Sequence, residues 1–191
     1  GVMGYIQLRN YAEWYYTKYF PSRRALHDKL LSKWDDEAIV DRVLADLSSL
    51  IMEEKVIESR IHGYIAGGKT ARYIRTKMLQ KKFDMSLVDS VLLSRDDDIK
   101  NPENYRSQIE KMVHRSFQKW ISKKMISYEI SLKYPDARSV VDELLSSYDD
   151  REILQKKAPE LLRKYSQEQL IQKLFQKGFR MNDIYTVFRR R

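Results

Sequence analysis

Three stretches of the chain carry one apolar rhythm: LHDKLLSKWDDEAIVDRVL from Leu26, IRTKMLQKKFDMSLVDSVL from Ile74 and LIQKLFQKGFRMNDIYTVF from Leu170. The second and third align without a gap, setting Ile74 on Leu170, Met78 on Leu174, Leu79 on Phe175, Phe83 on Phe179, Met85 on Met181, Val88 on Ile184 and Val91 on Val187. The first keeps the pattern with one residue fewer before Trp34. Self-similarity of this kind predicts a tandem array in which each short unit buries its apolar face against neighbours. It points away from an enzyme built around a single cleft.

Pro and Gly are scarce, 4 and 6 in 191 residues, which favours helices over a turn-rich β architecture. Apolar residues make up 42%, enough for a real core in one domain or two small ones. The apolar runs are too short for a membrane span, and the opening residues lack the basic-then-apolar layout of a signal peptide, so a cytoplasmic protein is expected. With no Cys, disulfides, thiolate catalysis and the commonest structural zinc sites are excluded, in keeping with a reducing compartment. Thirty-six Lys and Arg against 27 Asp and Glu leave a formal charge of +9, which favours a polyanion or an acidic protein surface as partner.

Helix-start signals recur. Ser107-x-x-Glu110, Asp149-x-x-Glu152 and Ser166-x-x-Gln169 read as capping boxes, Thr70 and Asp136 as N-caps, and Pro21 and Pro135 as loop-to-helix junctions. About twelve helices and no strand are predicted, an all-α fold of tandem three-helix repeats. After an N-terminal segment 1–8 given no structural weight, the blocks are 9–52, 53–94, a diverged 105–148 and 149–191 with its basic tail. The polar, acid-rich stretch 95–104 reads as a linker and hinge. Counted from the first apolar residue of the pattern, offsets 0, 4 and 5 form the apolar stripe, and Trp34, Phe83 or Phe179 plugs the gap between second and third helices.

The polar positions repeat as well. Offset 3 is Lys29, Lys77 and Lys173, and offset 7 is Lys33, Lys81 and Lys177. Like charges four apart on a helix repel slightly, so helix stability does not ask for the pair three times, whereas an anionic partner does. The alternative is a solvated face whose lysine stems cover core edges. Arg72, Lys123-Lys124 and Arg163-Lys164 join the candidate set; Arg23-Arg24, Lys156-Lys157 and Arg189-Arg190-Arg191 are further basic groups. Tyr5, Tyr11, Trp14, Tyr15, Tyr16, Tyr19 and Phe20 crowd the N-terminus, and any exposed part of that cluster is either a protein-contact patch or a stacking surface for single-stranded nucleic acid.

Chemistry-bearing constellations are absent from the pattern. His27, His62 and His114 fall in different blocks, an unpromising metal set. Gly67-Gly68-Lys69-Thr70 lacks the glycine spacing and strand of a phosphate loop and reads as a helix–helix turn, and Asp96-Asp97-Asp98 reads as a solvated linker. A binding protein without metal or cofactor is expected.

One family combines these features. Ser22-x-x-x-Leu26-x-x-Lys29-Leu30-Leu31-x-Lys33 followed by Glu37-Ala38-Ile39 and Val43-Leu44, then Gly68-x-x-x-x-Tyr73-Ile74-x-x-x-Met78-Leu79-x-Lys81, and last Leu174-Phe175-Gln176-Lys177-Gly178-Phe179 resemble the RecX family of bacterial RecA regulators. The likeness covers blocks one, two and four. It departs at Glu53-Glu54-Lys55-Val56, where the family shows paired aspartates and an aromatic residue, and at Trp34, which replaces a Gly-aromatic turn. The resemblance implies an elongated, curved, monomeric helical molecule lying in the groove of a RecA–single-stranded DNA filament, contacting the DNA itself only weakly or indirectly. There it modulates, and in the first instance inhibits, ATP hydrolysis, strand exchange and the SOS response. The alternative is direct nucleic-acid binding through the helix-turn-helix-like hairpins that the second and third helices of each block would form.

Overall fold

The computed structural model of the chain describes residues 2–189, with side chains from residue 4 onward; Arg190 and Arg191 of the basic tail lie outside the described residues. Among the described residues, regular structure consists of thirteen α-helices and two short 3-10 turns, with no strand. Helices α1 (Val2–Tyr19), α2 (Arg23–Lys33) and α3 (Glu37–Asp46) enclose a first core of Leu8, Ala12, Tyr16, Leu26, Leu30, Val40 and Val43. Helices α4 (Glu53–Ala66), α5 (Ala71–Gln80) and α6 (Met85–Ser94) enclose Ile57, Ile61, Ile74, Met78, Phe83 and Val88, and Ile99 of α7 (Asp96–Lys100) closes that core. A third core joins α8 (Arg106–Gln118), α9 (Lys123–Lys133) and α10 (Arg138–Leu145) through Ile109, Val113, Ile126, Ile130 and Val141. The fourth joins α11 (Asp150–Lys164), α12 (Gln167–Gln176) and α13 (Met181–Thr186) through Leu154, Leu161, Leu170, Leu174, Phe179 and Ile184. Each of these Leu, Ile and Phe side chains contributes about 1.5–3 kcal/mol by leaving water. The chain divides into two compact units after Ile99, with two cores in each.

One local device starts the second helix of every core. The hydroxyls of Ser22, Thr70, Ser122 and Ser166 accept the N–H three residues on, from Ala25, Tyr73, Met125 and Gln169, at 3.0, 3.2, 3.2 and 3.3 Å. Such a cap satisfies an otherwise orphan donor and fixes where the helix begins. Four and eight residues after it come fully buried pairs: Leu26 and Leu30, Ile74 and Met78, Ile126 and Ile130, Leu170 and Leu174. Eighteen residues after it, in the third helix, come Val40, Val88, Val140 and Ile184, all buried. The third block, diverged by its side chains, keeps this register.

The turns sort the cores differently. Cores one and three enter the capped helix through an aromatic residue at positive φ, Phe20 at 45° and Trp120 at 57°, and leave it through an aromatic residue at strongly negative φ, Trp34 at −145° and Tyr134 at −128°. Cores two and four leave it through a left-handed residue, Lys82 at φ 62° and Gly178 at φ 91°, followed by buried Phe83 and Phe179. Within each unit the odd core's cap serine is itself buried and seats on the end of the even core's helix. Ser22 Oγ donates to the Lys81 carbonyl at 2.8 Å, and the Ser122 N–H donates to the Lys177 carbonyl at 3.0 Å. Both units are built to one scheme of two different cores.

Several sequence expectations change. Trp34 is not the equivalent of Phe83: with α2 ending in an extended residue, its indole turns to α1, where a Cβ on Gly4 would come within 2.3 Å of it. Of segment 1–8, the described residues 2–8 open α1, with Leu8 buried and the Tyr5 hydroxyl donating to Asp46. Residues 95–104 do hold the division between the two units, but as α7 and most of the 3-10 turn Pro102–Tyr105 rather than as an irregular stretch, with Ile99 and Tyr105 both buried. Ser107 and Asp136 cap nothing: α8 follows directly on the 3-10 turn ending at Tyr105, and Asp136 sits inside a 3-10 turn, Pro135–Ala137. Offset 5 of the pattern lies outside the core in the second and fourth blocks, with Leu79 57% and Phe175 60% exposed, because a helix packed against two neighbours on one side buries a narrower stripe than the sequence offers; in the first block Leu31 is half-buried against its core.

Candidate polyanion-binding face

The cap serines and threonine give a common count for the lysines. Lys29, Lys77 and Lys173 stand seven residues after the cap, and Lys33, Lys81 and Lys177 eleven after it. In the third core the same places hold Glu129 and Lys133. Lys133 therefore belongs with the set and was missed because the third block's spacing was judged by its hydrophobic residues; the signal that finds it is Ser122.

Most of these ammonium groups lie over aromatic rings. Lys29 is 5.8 Å from the Tyr15 centroid, Lys33 5.5 Å from Tyr11, Lys77 5.6 Å from Tyr73, Lys133 5.7 Å from Tyr134 and Lys173 4.8 Å from Tyr165. Lys69 also lies over the Tyr73 ring, 4.8 Å from its centroid. A ring under an ammonium holds the side chain by about 0.5–1 kcal/mol at exposed sites without neutralising its charge. The positive charge stays available to an anion, and the lysine arm loses less freedom on binding one.

The other candidates divide by how their heads are used. Lys81, Arg72 and Lys124 are exposed, and the Lys81 carbonyl already serves Ser22. Lys177 is half-buried: its ammonium donates to the Lys119 carbonyl at the end of α8 and lies 5.5 Å from the Trp120 ring. Burial draws its pKa below the ordinary lysine value, with Lys173 and Lys119 pushing the same way. Lys123 is likewise committed, its N–H to Asp150 at 3.0 Å and its ammonium to the Tyr148 carbonyl at 3.4 Å. Arg163 donates to the Pro159 carbonyl at 3.1 Å and Lys164 pairs with Glu160 at 3.4 Å, one turn back on the same helix. Lys123, Arg163, Lys164 and Lys177 thus work inside their own unit; the heads of Lys29, Lys33, Arg72, Lys77, Lys81, Lys124 and Lys173 form no ion pair or hydrogen bond among the described residues, with Lys29 and Lys77 half-buried.

No group of three His, Asp or Glu among the described residues is placed to hold a metal ion. His27 lies between two carboxylates, 3.6 Å from Asp28 and 3.4 Å from Asp41; His62 meets Arg95 and His114 meets Gln118. Gly67-Gly68-Lys69-Thr70 is a helix–helix turn, with Gly68 at φ 72°, the Lys69 N–H returning to the Tyr64 carbonyl at 3.0 Å and Thr70 capping α5. No helix among the described residues is long and apolar enough to cross a membrane. Compared with protein-family models, with curated proteins and with solved structures, the chain matches none of them.

Proposed function

We propose that the chain is a non-enzymatic, monomeric, cytoplasmic binding protein that engages a RecA–single-stranded DNA filament and restrains its ATP hydrolysis, strand exchange and SOS signalling, as the RecX family it resembles in sequence does. The observation that supports the reading is the recurrence of lysines, their ammonium groups unpaired among the described residues, at fixed sequence distances from equivalent helix caps, at Lys29, Lys77 and Lys173 and again at Lys33 and Lys81. A helical filament repeats its subunits and phosphates, so a partner that repeats its cations matches it term by term. On this reading the blocks form an elongated, curved tandem array, and individually weak contacts sum to tight binding because each raises the effective concentration of the next. Contact with the DNA strand through this ladder is secondary to contact with the filament.

The test is RecA-dependent ATP hydrolysis with and without the protein, beside filament binding by a variant carrying Lys29→Glu, Lys77→Glu and Lys173→Glu. The wild type is expected to slow hydrolysis at near-stoichiometric levels. The variant should bind at least tenfold more weakly and with a shallower salt dependence, because fewer ionic contacts remain. Its stability should fall by no more than the three cation–π contacts, about 0.5–1 kcal/mol each. A RecA reaction untouched by the protein would overturn the reading.

A further inference from the structure

Helix α1 carries a second surface that the lysine ladder does not explain. Along one side of it Tyr11, Trp14, Tyr15 and Tyr19 form a continuous set of rings, with centroids 5.8 Å apart for Tyr11 and Trp14, 6.0 Å for Tyr11 and Tyr15, 6.3 Å for Trp14 and Tyr19, and 4.8 Å for Tyr15 and Tyr19. Trp14 is 51% and Tyr19 48% exposed. Three ammonium groups lie over the rings: Lys18, 5.0 Å from the Trp14 centroid and 5.3 Å from that of Tyr19, Lys29 over Tyr15 and Lys33 over Tyr11. None of the three lysines forms an ion pair among the described residues.

The other cores serve as an internal control for what the fold needs. Helices α4, α8 and α11 stand where α1 stands, as the first helix of their cores, and their exposed positions hold no aromatic residue: α8 shows Lys111, His114, Arg115 and Gln118 to solvent, and α4 shows Glu54, Lys55, Glu58 and His62. A three-helix core of this design therefore folds without an aromatic outer face. Trp14 and Tyr19 sit on α1 for something other than packing, since half of each ring returns nothing to the hydrophobic core.

Half-exposed flat rings, accompanied by cations that form no ion pair among the described residues, match a ligand that offers flat faces and anionic groups together. Single-stranded nucleic acid does so: every base has a π-face, and its phosphates seek Lys. A duplex hides its base faces in the stack and satisfies only the lysines. From Tyr11 to Tyr19 the helix rises about 12 Å, room for roughly three stacked nucleotides. We propose that this face of α1 binds single-stranded nucleic acid directly, with bases stacked on Trp14 and Tyr19 and phosphates held by Lys18, Lys29 and Lys33. The binding belongs to the protein alone and needs no RecA.

The probe is a labelled oligothymidylate at low salt, with an oligouridylate of equal length and a duplex of equal length alongside, measured by fluorescence anisotropy and by tryptophan emission. Single strands are expected to bind more tightly than the duplex and to quench part of the emission; the two oligonucleotides decide between DNA and RNA as the preferred strand. Trp14→Leu and Tyr19→Leu keep an apolar side chain and lose the ring, and each should weaken binding roughly 5- to 100-fold. Trp14→Phe should bind within about threefold of wild type while losing most of the quench, because the remaining tryptophans, Trp34 and Trp120, are elsewhere. Lys18→Gln, a change at an exposed residue outside the ladder, should lower the salt slope by about 0.7. Equal affinity for single strand and duplex, or leucine variants that bind as the wild type does with their helical spectrum intact, would overturn the proposal. So would the absence of binding to either oligonucleotide. None of these results touches the filament reading, which is measured through RecA.

Discussion

The two units, each taken by itself, repeat one plan and differ at the places the plan leaves open. In the first, the left-handed residue ahead of the buried phenylalanine is Lys82; in the second it is Gly178. In the first, Lys82 reaches Asp28 at 2.5 Å; in the second, a Cβ at Gly178 would come within 2.5 Å of the Ser122 hydroxyl. The first unit's leading helix is aromatic outside, and the second unit's is basic and polar. Positions that stay alike in kind, the capping hydroxyls, the apolar pairs after them and the phenylalanines, are those that hold a core together. Those that differ are free for partners or for local trade-offs in stability.

The largest effect that can sharpen the comparison comes from the matched plugs. Phe83 and Phe179 are both buried, in separate cores of separate units. Replacing either by Ala should cost about 3–5 kcal/mol through lost burial and the cavity left behind. Hydrogen exchange should show Phe83→Ala opening residues 53–99 more than 100–189, and Phe179→Ala the reverse. Uniform loss of protection along the chain would mean that the units do not unfold separately.

Next in size is the second unit's glycine. Gly178→Ala places a side chain at φ 91° and against Ser122 Oγ, which cannot move away without leaving the Met125 N–H it caps. Strain and a weakened cap together predict a loss of about 2–3 kcal/mol in urea denaturation. Gly4→Ala in the first unit meets the Trp34 indole instead, a half-buried side chain at an ordinary backbone position, so about 1–2 kcal/mol is expected. An unmoved midpoint in Gly4→Ala would show that Trp34 does not rest on α1.

The helical class, the caps at Thr70 and Ser166 and the burial of Phe83 and Phe179 are legible in the sequence because each is local, a matter of periodicity or of a side chain reaching its own backbone. The pairing of first core with third and second with fourth was not. Its markers are the conformations of Phe20, Trp120, Lys82 and Gly178, and only the glycine advertises a positive φ. Alignment by hydrophobic residues instead slid Trp34 onto Phe83 and set aside the Ser122 register. At the candidate face, charge and spacing picked out Lys29, Lys77 and Lys173, but could not tell them from Lys123 or Lys177, whose heads are claimed by carbonyls distant in the chain. Lys18 went unnoticed because its meaning lies in Trp14 one turn before it.

The smallest effect carries the most detailed information about how the first unit manages without a glycine. Lys82→Gly exchanges three things. It relieves a left-handed backbone, worth about 1 kcal/mol, and gives up a similar amount in added freedom of the unfolded chain. It also deletes the ion pair with Asp28. At neutral pH the variant should therefore lie within about 1 kcal/mol of wild type. Acid separates the contributions. The hydrogen bond from Lys82 is the leading cause holding the Asp28 carboxyl below its usual range, with His27 and Arg24 adding to it. A depressed carboxylate pKa stabilises the fold above the ordinary value near 3.8 and loses that contribution as pH falls through the folded value. Wild type should thus lose stability in strong acid that Lys82→Gly, with less to lose, retains, and the difference between their urea midpoints should move in the variant's favour as the pH is lowered. A difference that stays constant from neutral pH to below the folded Asp28 pKa would show that Lys82 is tolerated at positive φ without help from Asp28.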